Sequence, residues 1–209
     1  MTPSLLPFAL GGLTWNAAEY AIHRWVGHGP KRKRASTLPG RATPSGLAGE
    51  FSTEHLAHHA DPSYFAPSSH KALAAVAVIS MLGPAASSLA GRRRGWSYAL
   101  GFTVMYLGYE VLHRRVHTHP PTSAYGRWRR RHHLQHHHRS PKDNHGVTSP
   151  LFDYVFGTAV PLQRVKVPRR QAPAWMLDDA GEVKPEYADD YELVGTRARP
   201  EASNEAPNS

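Results

Sequence analysis

Three stretches of the chain are apolar and almost free of charge, and the segments around them are polar. Residues 3–22 carry one charge, Glu19; residues 72–90 carry none; residues 96–112 carry one, Glu110. About 20 apolar residues in a helix cross a hydrocarbon core of ~30 Å, so each stretch predicts a membrane helix. The middle one is the weakest, being rich in Ala and interrupted by Gly83-Pro84, and it also suits the core of a soluble protein. The first lacks a basic leader and runs straight into a charged motif, which is unlike a signal peptide. Three crossings put 23–71 and 113–209 on one side and only the turn 91–95 on the other. Of 25 Lys and Arg, all but Arg92, Arg93 and Arg94 then share the large side, which predicts that side to be cytoplasmic. Those three arginines argue against full crossings by the last two helices, which alternatively form a hairpin that dips into the membrane and returns. The expected class is all-α: an integral membrane helical bundle, of about three apolar helices or one span plus a hairpin, with a cytosolic, histidine-rich helical cap.

The polar remainder divides further. Residues 1–162 read as the membrane-embedded domain. Residues 163–195, basic at first and then rich in acid, read as a surface-packed extension. The tail 196–209, made mostly of Pro, Ala, Ser, Asn and Glu, has a composition that cannot bury a core and reads as disordered.

The chain has no cysteine, which excludes disulfides, Fe–S clusters, thiolate zinc sites and thiol catalysis. Its net charge of +9 raises nucleic acid as a partner. No nucleic-acid motif accompanies the charge and the apolar stretches suit that reading poorly, so none is expected. Lys31–Arg34 and Arg127, Arg129, Arg130 and Arg131 are expected at the headgroups of anionic lipids.

Fifteen histidines change the picture most. Ten fall into four groups: His23 and His28 in HRWVGH, His55, His58 and His59 in HLAHH, His113 and His117 in HRRVH, and His133, His136 and His137 in HLQHH. Residues three and four apart share a helix face. HxxHH therefore sets three rings on one stripe, where two reach one metal and the third a neighbouring one. His23 and His28, five apart, stand about 140° apart on an ideal helix. Gly27 and Gly29-Pro30 suggest a helix end from which His28 swings back. All four groups share one side of the predicted topology. Ten imidazoles held close repel when protonated and bury unsatisfied nitrogens when dry; metal ions resolve both problems. Ten exceed the needs of one ion, so two are implied, and all-nitrogen ligation suits iron, zinc, copper or nickel. Glu19 and Glu110, the only charges in the apolar spans, are candidates to support His23 and His113, against salt bridges to Arg24 or Arg114. Glu54 is evenly divided between the two roles. His145 is a candidate for an additional role at the site.

These boxes, followed by NHGVTSPLFDYVFGT at 144–158, resemble the fatty acid hydroxylase and sterol desaturase superfamily of membrane di-iron oxygenases. The resemblance covers roughly residues 15–160. It implies two iron ions held by the ten histidines (zinc after overexpression) and O2-dependent attack on an unactivated C–H bond of a membrane lipid, most simply a fatty acyl chain. Lipid desaturation, and sterol or carotenoid hydroxylation, are alternatives on the same site; a non-catalytic metal-binding membrane protein is the alternative outside enzymes. No flavin or nicotinamide fingerprint is present, so electrons are expected from a separate donor of ferredoxin or cytochrome b5 type, docking near Arg127–Arg131. Trp25, Tyr64, Phe65, Tyr106 and Tyr109 are candidate channel-lining groups.

Overall fold

The computed structural model describes residues 2–196, and these are mostly helical. Helix α1 (Leu5–Ala21) continues into one π-helical turn, Ile22–Gly27. A loop and the single turn α2 (Leu38–Arg41) lead to α3 (Pro44–Ala60), which carries the HLAHH motif. Its start is fixed by Pro44 and by Thr43, whose hydroxyl oxygen accepts from Gly46 N–H at 3.1 Å.

Helices α4 (Ser68–Ala90) and α5 (Arg92–Thr118) form the apolar hairpin, and α5 lies between α1 and α4. The hairpin turns on Gly91, whose φ of +81° suits glycine. Backbones meet closely at Gly11 and Gly101, where a Cβ would stand 2.0 Å from the carbonyl oxygens of Tyr98 and Phe8. Small residues at the crossing thus set α1 hard against α5, the mode of packing suited to helices in lipid.

Among the described residues, α4 alone is long and apolar enough to cross a membrane, and only 11% of its apolar window is buried. A soluble core helix would be mostly covered. Leu73, Val76, Met81 and Leu89 on α4 are exposed, as are Leu5, Leu6, Leu10 and Leu13 on α1 and Val104, Leu107 and Val111 on α5.

Beyond the hairpin, α6 (Ala124–His138) starts at Ser123, whose hydroxyl accepts from Gly126 N–H at 3.0 Å. The short α7 (Leu151–Val155) follows. Arg130 is buried and donates to the carbonyls of Arg115, His119, Pro120 and Gly126, closing the open C-terminal end of α5.

The segment 163–195 departs from the all-α expectation. It holds a parallel pair, β1 (Val165–Pro168) and β2 (Tyr191–Val194), with Val165 opposite Tyr191. Val165, Val167, Trp175, Met176, Tyr187 and Tyr191 form a small core against Leu134 of α6. Trp175 Nε1 also donates to the Val116 carbonyl at 3.2 Å. The extension therefore packs on α5 and α6 around a core of its own. Four-residue strands are too short for alternation to announce them. Of the tail expected to be disordered, 197–209 lie outside the described residues.

Candidate metal centre

The π-helical turn delivers the first two histidines. His28 N–H bonds the His23 carbonyl, five residues back, at 3.1 Å. The helix thus widens rather than frays, and the wider turn brings the two rings to 5.2 Å between centroids. Gly27 inside this turn lies against His55: a Cβ there would sit 2.7 Å from His55 Cδ2. A glycine that reads as a helix stop is, in the fold, the clearance for a histidine of another helix.

Ten histidines converge in two groups of five, each with ligand-capable nitrogens within 4.8 Å of one another. The first holds His23, His28, His55, His59 and His136; the second holds His58, His113, His117, His133 and His137. On α3 the i, i+4 pair His55/His59 faces the first group and His58 the second. On α6 the i, i+4 pair His133/His137 faces the second and His136 the first. The groups adjoin, with His59 and His137 stacked at 4.0 Å.

Hydrogen bonds on the far side of three rings fix their tautomers. The Nδ1 atoms of His23, His58 and His136 reach the carbonyls of His145 (2.5 Å), Tyr64 (2.8 Å) and Asp143 (2.6 Å). A carbonyl only accepts, so each Nδ1 carries the proton and each Nε2 turns a bare lone pair inward. His23 Nε2, His59 Nε2, His113 Nε2 and both His137 nitrogens are buried without a partner. The Nε2 atom of His28 lies 2.8 Å from that of His55 and 2.9 Å from that of His136. His117 Nε2 stands 3.2 Å from His58 Nε2 and 2.9 Å from His133 Nε2. Ligand nitrogens about 3 Å apart suit a shared ion at ~2.1 Å from each. Both groups therefore fit a metal.

Burial keeps these rings neutral. It pushes His28 and His58 down to about 4. His55, His133, His136 and His137 are held well below the usual histidine range by burial and then by neighbouring imidazoles. A neutral ring is the form that binds metal.

A cavity of about 190 Å³ reaches the first group from between the apolar helices, with His23 in its wall and Trp15, Phe51, Val78, Tyr106, Tyr109 and Glu110 around it. Of the expected channel residues, Tyr106 and Tyr109 line it. Phe65 instead packs on His58, His113 and His117, Trp25 is exposed against Phe156, and the Tyr64 hydroxyl binds Glu54.

The expected supporting residues stand differently. The Glu19 carboxylate is hydrogen-bonded to the 147–148 backbone rather than to His23: it accepts from Val147 N–H (2.6 Å), Thr148 N–H (2.9 Å) and the Thr148 hydroxyl. Glu110 pairs with Lys71 rather than with His113 or Arg114, because Lys71 on α4 faces it across the hairpin. Glu54 pairs with Arg34. His145 gives its backbone carbonyl to His23, and its ring, with Nδ1 buried and unpartnered, packs against His23, His28 and His136 without joining the five ligand-capable nitrogens of the first group. The arginines expected at a docking surface are largely committed: Arg130 is buried, and Arg127 and Arg131 pair with the buried Asp190.

Sequence reasoning missed Asp153 and His132. Asp153 is fully buried and accepts from His145 N–H, Gly146 N–H, the Thr158 hydroxyl and His132 Nε2. Burial raises its carboxyl, but these hydrogen bonds outweigh it and hold the group below the usual carboxylate range. A lone Asp between Phe152 and Tyr154 carries no spacing signal of its own.

Two adjoining histidine clusters beside an apolar helical hairpin define a candidate dinuclear, histidine-ligated metal centre. Residues 8–158 match the family model for fatty acid hydroxylases, and the chain belongs to that family. It is 28% identical over 170 residues to dihydroceramide fatty acyl 2-hydroxylase FAH1 of Arabidopsis thaliana, covering 81% of this chain and 66% of that protein. Its likeness to FAH2 of the same plant is 28% over 155 residues, covering 72% and 59%. The chain thus spans slightly under two thirds of the first relative's length and less of the second. A solved structure of full-length Scs7p, in which only the hydroxylase domain is visible, shares the fold: TM-score 0.53 at 23% identity, over 76% of this chain and 58% of that one.

Proposed function

We propose that this chain hydroxylates a C–H bond of a fatty acyl lipid, with O2, at two iron ions held by the ten histidines. The observation that carries the reading is the pair of five-histidine clusters, with inward lone pairs, the first of which meets a largely apolar cavity at His23. Membership of the fatty acid hydroxylase family and the fatty acyl 2-hydroxylases among its relatives support a fatty acyl substrate.

His23, His28, His55, His59 and His136 would hold one ion, and His58, His113, His117, His133 and His137 the other. Bound there, the iron pair supplies O2 activation and delivery of one oxygen atom into an unactivated C–H bond. The reaction balances as R–H + O2 + 2 e⁻ + 2 H⁺ giving R–OH + H2O, and the electrons come from a separate donor of ferredoxin or cytochrome b5 type. The protein's own part is geometric. The carbonyls of His145, Tyr64 and Asp143 hold three rings in the metal-binding tautomer. Trp15, packed against Phe102, Tyr106 and Tyr109, gives the cavity a firm apolar wall for the alkyl chain. In this reading α1, α4 and α5 lie in the membrane, exposed apolar side chains toward lipid, with the histidines at the cytoplasmic side.

The test is turnover of acyl lipids by the purified, iron-loaded chain with a reductase and ¹⁸O2. One labelled oxygen in the product supports hydroxylation. Loss of two hydrogens with no label would identify a desaturase, and unchanged lipid with metal bound would identify a metal-binding protein.

A further inference from the structure

The loop 143–148 has an unusual hydrogen-bond account. Asn144 N–H donates to the Thr158 carbonyl at 2.9 Å. His145 and Gly146 N–H donate to Asp153 at 2.7 and 2.8 Å, and Val147 and Thr148 N–H donate to Glu19 at 2.6 and 2.9 Å. Five successive amides are therefore engaged, four of them by two buried carboxylates. The carbonyls of Asp143 and His145 are left to take the Nδ1 protons of His136 and His23. Both rings belong to the first cluster. No carbonyl of this loop reaches the second, where His117 Nδ1 and His133 Nδ1 are buried without partners. The loop has no slack: Asn144 sits at φ +56°, and a Cβ on Gly146 would lie 2.1 Å from the Ser149 carbonyl oxygen and 2.9 Å from Asp153 Oδ2.

We propose that Asp153 and Glu19 are positioning residues that clamp this loop from two sides, and that the clamp sets metal retention in the first cluster while leaving the second unaffected. The inference rests on the dinuclear reading above. Asp153→Asn puts an amide N–H₂ against two of the four donors now facing the carboxylate, which frees the loop to turn its carbonyls away from His136 and His23. Glu19→Gln is milder, because its amide oxygen still accepts from both amides and its N–H₂ can donate to the Thr148 hydroxyl.

The experiment counts zinc per chain, by mass spectrometry, in the detergent-purified full chain after loading and desalting. Wild type is expected to keep about two, Asp153→Asn about one, and Glu19→Gln an intermediate number, with retention in the first cluster weakened ~10–100-fold in Asp153→Asn. The location of the loss separates a clamp from general damage. Asp153→Asn with His136→Ala should keep the same single ion as Asp153→Asn alone, while Asp153→Asn with His133→Ala should lose nearly all. Full occupancy in both carboxylate variants, or a second-site variant that costs Asp153→Asn nothing further, would overturn the proposal. If Asp153→Asn does not accumulate as folded protein, Glu19→Gln paired with the same histidine variants carries the test. Fewer than two ions in wild type would instead sink the dinuclear reading, a distinct failure.

Discussion

The two histidine clusters are built from the same side chain in equal number, yet the fold supports them differently. The first draws on the widened turn after α1, on α3 and on α6, and two of its rings are held from behind by carbonyls of the 143–148 loop. The second draws on α3, α5 and α6, and one of its rings is so held, His58 by the Tyr64 carbonyl. One site is braced by a loop remote in sequence; the other relies on the stiffness of its helices and on Phe65, which packs against His58, His113 and His117 under Arg114. The difference teaches that ligand count alone does not describe such a centre. What stands behind each ring decides how firmly its metal is held.

The strongest way to break the comparison is to remove a ligand from each side. His59→Ala and His137→Ala, the stacked pair between the clusters, should each reduce lipid product to background, because hydroxylation needs both ions; a single-site enzyme would lose product in only one of them. Acid should weaken both clusters together. With His28 and His58 near 4 in the fold and about 6.5 when unfolded, the unfolded chain binds protons that the metal-free fold refuses. Stability of the metal-free protein should therefore be full above about pH 6.5 and fall steadily as pH drops toward 4. Melting temperatures of the chelated protein across that range check this, and a flat profile would contradict it. Gly27→Ala should sharpen the comparison by pressing on His55 alone, weakening metal retention in the first cluster by roughly tenfold or more and sparing the second. Phe65→Ala is expected to be smaller and opposite in place, costing roughly 2 kcal/mol of stability in thermal or chemical unfolding, with any metal loss confined to the second cluster.

Much of this arrangement is legible in the residues. HxxHH on α3 and on α6 encodes the division of each trio between two neighbours, since i, i+4 rings point together and the middle spacing points aside. The three apolar stretches match α1, α4 and α5, and Gly83-Pro84 lies inside an unbroken α4. The rest depends on contacts distant in the chain. Glu19 meets residues 147 and 148 more than a hundred positions away, and nothing near it in sequence points there. The reach of His28 to His23 needs a π turn that a glycine pattern reads as a helix end. Asp153 acts through four donors, two of them backbone amides, which no motif of side chains records. The arginines of α6 read as a basic surface, but the fold commits Arg130 to carbonyls and Arg127 and Arg131 to Asp190.

The most direct test of the central claim is the metal content per chain of the detergent-purified protein, wild type beside His136→Ala. About two ions in wild type and about one in the variant are expected, with zinc in place of iron counting equally after overexpression. Less than one ion per chain, unchanged by the substitution, would show that the ten histidines do not form a metal centre.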